Sequence, residues 1–574
     1  MSLTSSTFPN SWKKANVIPI HKKGDCDDSN NYRPISILPV ISKITERIVF
    51  KYVYNYLHVN KLICKDQSGF QPNESTVNQL AFMYHEFCKA LDQKKDVRIV
   101  FGDVSRAFDK VWHNGIIFKL KQNGIKGSLL QWFENYLSDR KQRVVIRGQA
   151  SEWGDVSAGV PQGSVLGPLL FIVYINDLAN VVDCKIKMFA DDTCLYIDID
   201  EPDKVENSLS GAKTMNRNLE SVKEWSNQWL VTFNASKTKS MIISNRDVPH
   251  PDITFNGVKL ENVSSHKHLG LIINKRLNWT EHVDAMLKSA SCMLDVSRSL
   301  MYKLDRETLE IIYHSFIRPK LEYASQIWDD CNDREIQKLE NFQLSAARLV
   351  TGAKKGTSHE LLYDETKWQT LCNRRKDVKL VHMHKIVHKK VPSYLSDLLP
   401  EPKTVNTRGI KDIRNMLCRT TKLSKSFFPD CIDRWNNLDI EVRNISDLDQ
   451  FKNAVIAPKK YNKLFNYGVR KWNIIHAQMR LSCSNLKAHL KSLHVTDDAS
   501  CICGHNLEDV EHFFFYCTLY NVQRHSLFNS LQKLPINNVN VDILLNGDPN
   551  VDIVINFQIF DAVHKFIESS ERFN

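Results

Sequence analysis

The sequence predicts an α+β fold on three observations. Two short β-forming runs flank the pair Asp191-Asp192, a third run ends at Asp103 far upstream, and apolar residues at helical spacing fill much of the rest. Lys185 to Phe189 and Cys194 to Ile199 read as strands joined by a tight turn, which puts Asp191 and Asp192 at a hairpin tip. Val97 to Phe101 reads as a strand giving way to a helix or turn at Asp103 to Asp109. Magnesium prefers oxygen ligands and keeps waters and phosphates in its shell. Three Asp on adjacent strands therefore make a seat for two ions held roughly 3.5–4 Å apart, the arrangement of phosphoryl transfer.

The other elements follow in order. Pro39 to Leu57 reads as an amphipathic helix presenting Ile41, Ile44, Ile48, Val49, Tyr52 and Val53 to the core. Ser75 to Leu91 reads as a second, with Val77, Leu80, Tyr84, Phe87 and Leu91 on its buried face. Ala158 to Pro168 is rich in glycine, which lets a backbone approach a nucleotide or template strand closely. The apolar run Leu169 to Ile175 then anchors that loop on a buried helix. A helix ending near Trp225 and Trp229 and strands around Met241 and Ile272 complete this region. Val283 to Leu300, Arg306 to Arg318 and Arg334 to Val350 have helical periodicity, and Gly352 is placed to end the last.

At 574 residues the chain exceeds the size at which single cores stop growing. A net charge of +12 fits a polyanionic partner. No apolar run approaches the roughly 20 residues of a membrane span, and the polar opening has no signal-peptide core, so a soluble intracellular protein without membrane contact is expected. Most of the 14 cysteines are expected to be reduced core residues. Four residues are the exception: Cys501, Cys503, His512 and Cys517 offer soft ligands of the kind zinc takes tetrahedrally, with His505 as an alternative. Phe513 to Tyr516 read as core. Between Cys372 and Lys390 lie Arg374, Arg375, Lys376, Lys379, Lys385, Lys389 and Lys390 against the single acid Asp377, a candidate nucleic-acid track led by the first four.

Seven segments in order carry a family resemblance: Asn31-Tyr32-Arg33-Pro34-Ile35-Ser36, Gln67-Ser68-Gly69-Phe70, Asp103 to Asp109 with Val111-Trp112-His113, Pro161 to Pro168, Phe189-Ala190-Asp191-Asp192, Asn234 to Lys239, and His268-Leu269-Gly270. Together they resemble the reverse transcriptases of non-LTR, LINE-like retrotransposons of the jockey and CR1 type. The resemblance implies a right-hand polymerase with fingers over 12–98, a palm with an antiparallel sheet over 99–280 and a helical thumb over 281–355. A helical basic region over 356–500, a Cys/His zinc-type module over 501–520 and a tail domain over 521–574 would follow.

It implies an RNA-directed DNA polymerase that uses two magnesium ions, an RNA template, a DNA primer or target, and deoxynucleotides. Asp103, Asp191 and Asp192 would be metal ligands, and Phe108 the steric gate against a 2′-hydroxyl. Gln162 and Gly163 would line the incoming nucleotide, Arg33 would meet phosphate, and Lys237, with Lys239 as rival, would protonate pyrophosphate. Asp109 is expected to brace its turn. The Cys/His set would hold a structural zinc, and the protein would be found in the nucleus and in cytoplasmic ribonucleoprotein. The upstream endonuclease of full-length relatives is expected to be lacking, and with it DNA nicking. The rivals are an inactive RNA-binding remnant and an RNA-dependent RNA polymerase. Two departures stand out: Gln71 where relatives carry Arg, and Gly102, expected to loosen its strand.

Overall fold

The computed structural model describes residues 2–22, 24–247, 250–401, 413–456 and 463–573. The chain forms two compact units, the first running to Asn278 with later segments beginning at Ile386 and Ile413, the second from Trp279 to Lys385 and from Cys431 onward.

In the first unit, β1 (Lys14–His21) pairs antiparallel with β2 (Tyr32–Ile37) and parallel with the strand Arg140–Ile146. Two helices follow, α1 (Val40–Val59) and α2 (Thr76–Asp92). Ser75 caps α2 by accepting from the Asn78 N–H, and Leu80, Tyr84, Phe87 and Leu91 are buried as their spacing predicts.

Helix α1 forms where expected but turns the other way. Val49 and Val53 are buried, whereas Ile41, Ile44, Ile48 and Tyr52 are 57%, 56%, 48% and 69% exposed. The reason is Glu46: its buried carboxylate accepts the Val165 and Leu166 N–H groups at 2.8 and 3.1 Å, capping the helix that starts at Leu166. Pointing Glu46 inward turns Ser42, Val49, Val53 and Leu57 inward with it and leaves the isoleucine stripe outside.

The central sheet has five strands. Those that position the site are β3 (Asp96–Gly102), β4 (Lys185–Phe189), β5 (Asp192–Ile199) and β6 (Lys239–Ile243), in the order β6-β3-β5-β4, with Glu261–Asn262 beyond β6. β3 lies between antiparallel neighbours and is buried from Asp96 to Phe101, the charged Asp96 and Arg98 included. Helix α3 (Leu166–Ile175) starts earlier than its apolar run suggested and buries every residue except Pro168. The outer edge of β4 is covered by residues 66–68: Met188 N–H donates to Asp66 O and Ser68 N–H to Met188 O, both at 2.8 Å. Gly102 does not leave a gap, because the Phe233 ring lies 3.3 Å from where its Cβ would be.

The second unit is mainly helical. Asp333–Thr351 carries an Asn332/Glu335 capping box and ends at Gly352 with φ +78°. Arg306 to Arg318 is not one regular helix: Arg306–Ile312 passes into a π turn at Tyr313–Ile317. α4 (Leu371–Val387) follows. Within the unit, Glu365 takes Arg306 at 2.6 Å and Arg480 at 2.9 Å in a buried cluster. Phe513, Phe514, Ile559 and Phe566 form part of a further core, while Tyr516 is exposed. Residues 402–412 and 457–462 of the expected basic region lie outside the described residues. Among the described residues, no helix is long and apolar enough to cross a membrane.

Candidate active site

Asp103 follows β3 directly. The β3–β5 ladder pairs Phe101 with Cys194 and Gly102 with Thr193, so one step further Asp103 faces Asp192. Asp191 stands in the two-residue turn closed by the Phe189–Asp192 pair. Register and turn thus bring the three carboxylates to one end of the sheet.

Their electrostatics reflect that crowding. Burial raises the Asp191 carboxyl, with Asp103 adding to the rise, while its own backbone N–H, Lys22 and Arg33 oppose it. Desolvation, then Asp191 and Asp103, push Asp192 up to about 6. Hard oxygen donors forced together in this way suit a divalent cation, which relieves the repulsion they store. Asp103 and Asp191 line a cavity of about 1400 Å³, together with Lys22, Arg33, Phe108 and Lys237.

Phe108 stacks on Phe171 with centroids 4.5 Å apart, takes Phe70 edge-on at 6.0 Å, and presents its remaining surface to the cavity. Gln162 and Gly163 also line it. Gln162 Nε2 donates to Asp109 Oδ1 at 2.8 Å, which makes Asp109 a brace between the two segments. Gly163 has φ +134°, and a Cβ there would lie 2.4 Å from Ser36 O, so the loop needs glycine on both counts. Val160 N–H donates to Phe108 O and Ser36 N–H to Gln162 O, both at 2.8 Å.

Behind Asp103, Asn234 N–H donates to the Asp103 carbonyl at 2.8 Å, and the Asn234 side chain accepts from the Lys237 N–H. Lys237 is exposed at the cavity wall, whereas Lys239 donates to Glu261 at 2.6 Å. Sequence reasoning passed over Lys22, whose signal was available: β1 ends one residue before it and pairs with the strand that carries Arg33.

Residues 20–273 match the family model described as reverse transcriptase (RNA-dependent DNA polymerase). That stretch of the chain is thus similar to a reverse transcriptase domain. The RNA-directed DNA polymerase from mobile element jockey of Drosophila melanogaster is 29% identical over 60% of this chain and 38% of its own length. The probable RNA-directed DNA polymerase from transposon X-element of the same organism is 28% identical over 71% of this chain and 45% of its own. The chain therefore spans about two fifths of the length of these curated relatives. Among solved structures, apo telomerase from Candida tropicalis matches 68% of this chain and 64% of its own at 11% identity. The TM-score of that match is 0.34.

Outside that stretch, Cys501, Cys503, His512 and Cys517 bring their candidate ligand atoms within 4.8 Å of one another. Cys501 Sγ lies 3.7 Å from Cys517 Sγ, and Cys503 Sγ 3.3 Å from His512 Nε2. Burial pushes the Cys517 thiol up to about 12. This donor set is soft, closed and suited to a tetrahedral ion. His505 stacks on His512 at 4.3 Å and bonds the Leu507 backbone through Nδ1, and it is not one of the four residues whose ligand atoms converge.

The basic helix differs from expectation. On α4, Arg374 grips both oxygens of Glu322, while Arg375 and Lys379 are buried against Asp329 at 2.6 and 2.8 Å. Three of the four cations expected to track phosphates are spent on internal carboxylates; Lys376 is partly exposed on the same helix.

Proposed function

We propose that this chain is an RNA-directed DNA polymerase of a LINE-like retrotransposon, adding deoxynucleotides to a primer 3′-hydroxyl on an RNA template. One observation carries the reading: Asp103 faces the Asp191-Asp192 turn at the edge of a large cavity whose other walls include Phe108, Gln162, Gly163 and Lys237. The curated names of the jockey and X-element relatives support it.

In this reading 12–98 acts as fingers, 99–280 as palm and 281–355 as thumb. Asp103, Asp191 and Asp192 would hold two magnesium ions, which when bound supply the charge that lowers a hydroxyl's pKa and steadies a triphosphate. The Phe108 ring, fixed by Phe171, would lie under the sugar and exclude a 2′-hydroxyl. Gln162, aimed by Asp109, and Gly163 would border the nucleotide. Arg33 and Lys22 would meet phosphate oxygens, and Lys237 would give its proton to the departing pyrophosphate. The Cys501, Cys503, His512 and Cys517 set would hold a structural zinc.

The test is incorporation on a primed RNA with deoxynucleotides in one arm and ribonucleotides in the other. Extension in the deoxynucleotide arm alone is expected. Extension in the ribonucleotide arm alone, or in neither, would overturn the reading.

A further inference from the structure

Gln67 does not touch the cavity, yet it holds the turn that carries the metal ligands. Its side chain is 1% exposed. Oε1 accepts from two backbone N–H groups, Gly69 at 2.7 Å and Ala190 at 2.9 Å, and Nε2 lies 3.4 Å from the Ala190 carbonyl. One amide therefore engages both polar groups of the residue between Phe189 and Asp191.

Ala190 needs such a clamp. Its φ is +57°, a left-handed conformation that is strained for a residue bearing a Cβ and is visited routinely by glycine. That conformation turns the chain sharply enough for Asp191 and Asp192 to follow one another onto the site. Other features of the Gln67-Ser68-Gly69-Phe70 segment serve the same contact. A Cβ on Gly69 would lie 2.2 Å from Ala190 N, so only glycine lets the segment approach this closely. Ser68 N–H is tied to Met188 O, and Gln71 Nε2 donates to Gln67 O from the other side.

We infer that Gln67 is a positioning residue for catalysis, its buried amide locking Ala190 in the left-handed conformation that sets Asp191 and Asp192 as metal ligands. The inference rests on the polymerase reading. It says that a segment more than a hundred residues away in sequence sets the affinity of the carboxylates for divalent ions.

The test uses the full chain and Mn²⁺ as probe, with free Mn²⁺ read by electron paramagnetic resonance alongside primer extension on RNA. Asp191→Asn defines binding elsewhere. Gln67→Met keeps the volume and loses the hydrogen bonds. It is expected to weaken Mn²⁺ binding and lower kcat about tenfold or more, the size of effect typical for groups that orient metal ligands. The nucleotide KM should change less than about threefold, because Gln67 reaches no part of the cavity where nucleotide would sit. Adding Ala190→Gly, which removes the conformational penalty, should recover a measurable part of the Mn²⁺ affinity.

If Gln67→Met does not fold, Gly69→Ala carries the test, since its Cβ would press on both Ala190 N, at 2.2 Å, and Gln67 Oε1, at 3.0 Å, and so disturb the clamp; it too should weaken Mn²⁺ binding. Wild-type Mn²⁺ affinity in the variant tested overturns the inference, as does a fall in kcat with the Mn²⁺ curve unmoved, the mark of a merely structural residue. A wild-type chain that neither binds Mn²⁺ through Asp191 nor extends a primer fails the polymerase reading instead.

Discussion

The chain holds two donor clusters built in contrasting ways. Cys501, Cys503, His512 and Cys517 are packed beside a buried aromatic core, which brings their donor atoms within 4.8 Å of one another. Asp103, Asp191 and Asp192 repel one another at the edge of an open cavity, so the backbone must force them together through the β3–β5 register and the left-handed Ala190. The comparison teaches where each cluster draws its order from: the first from core packing, the second from strain held in place by neighbours such as Gln67.

The largest expected effect separates the two clusters by metal withdrawal. A chelator should abolish primer extension, and added Mg²⁺ alone should restore it while the zinc proposed for the Cys/His set stays bound. Cys517→Ser should lose zinc by elemental analysis and destabilise the second unit by on the order of 4 kcal/mol in a denaturant titration. Loss of extension that Mg²⁺ cannot restore would mean the clusters do not act independently.

Next comes the cavity wall beside the carboxylates. Phe108→Val should raise ribonucleotide use relative to deoxynucleotide by on the order of 10²-fold in kcat/KM, with stability little changed, because Phe171 still fills the core side. An unchanged ratio would remove Phe108 from the gate and leave it a core aromatic.

A smaller effect is expected with pH in the second unit. Burial, then Arg480, holds His564 down to about 4, and His564 Nε2 lies 3.1 Å from His476 Nδ1, another imidazole held low by burial. A folded pKa below the unfolded value near 6.5 means that the unfolded chain binds more protons between the two. Stability should therefore fall as pH drops from about 6.5 toward 4, read as urea midpoints. His564→Gln should flatten that slope; an equal slope in the variant would place the acid sensitivity elsewhere.

The smallest effect concerns RNA affinity. Arg375→Ala breaks a buried pair with Asp329 and should destabilise the unit by roughly 3–5 kcal/mol. The salt dependence of RNA binding should nevertheless stay as in wild type. A slope reduced by about one would return Arg375 to the phosphate track.

What the sequence could and could not reveal follows from the range of each signal. The Asp191-Asp192 hairpin and the strand into Asp103 were legible because short apolar runs end at those acids. The sulfur–imidazole set was legible from residue type and spacing. The buried face of α1 is not legible, because periodicity defines a helix but not which face is buried, and Glu46 decides that by reaching Val165 and Leu166. The partners of the basic helix are not legible, because a local charge count does not see Glu322 or Asp329. Gln67 escaped for the same reason: its partner Ala190 is remote in sequence, and nothing near a buried glutamine announces that contact.

Primer extension on RNA by the intact chain, compared with Asp191→Asn under identical Mg²⁺ and deoxynucleotide concentrations, tests the carboxylate seat most directly. The account predicts extension by the wild type and a loss of about 10³-fold in the variant, as expected when charge on a transferring phosphoryl group loses its support. An Asp191→Asn chain that extends the primer at the wild-type rate would contradict it.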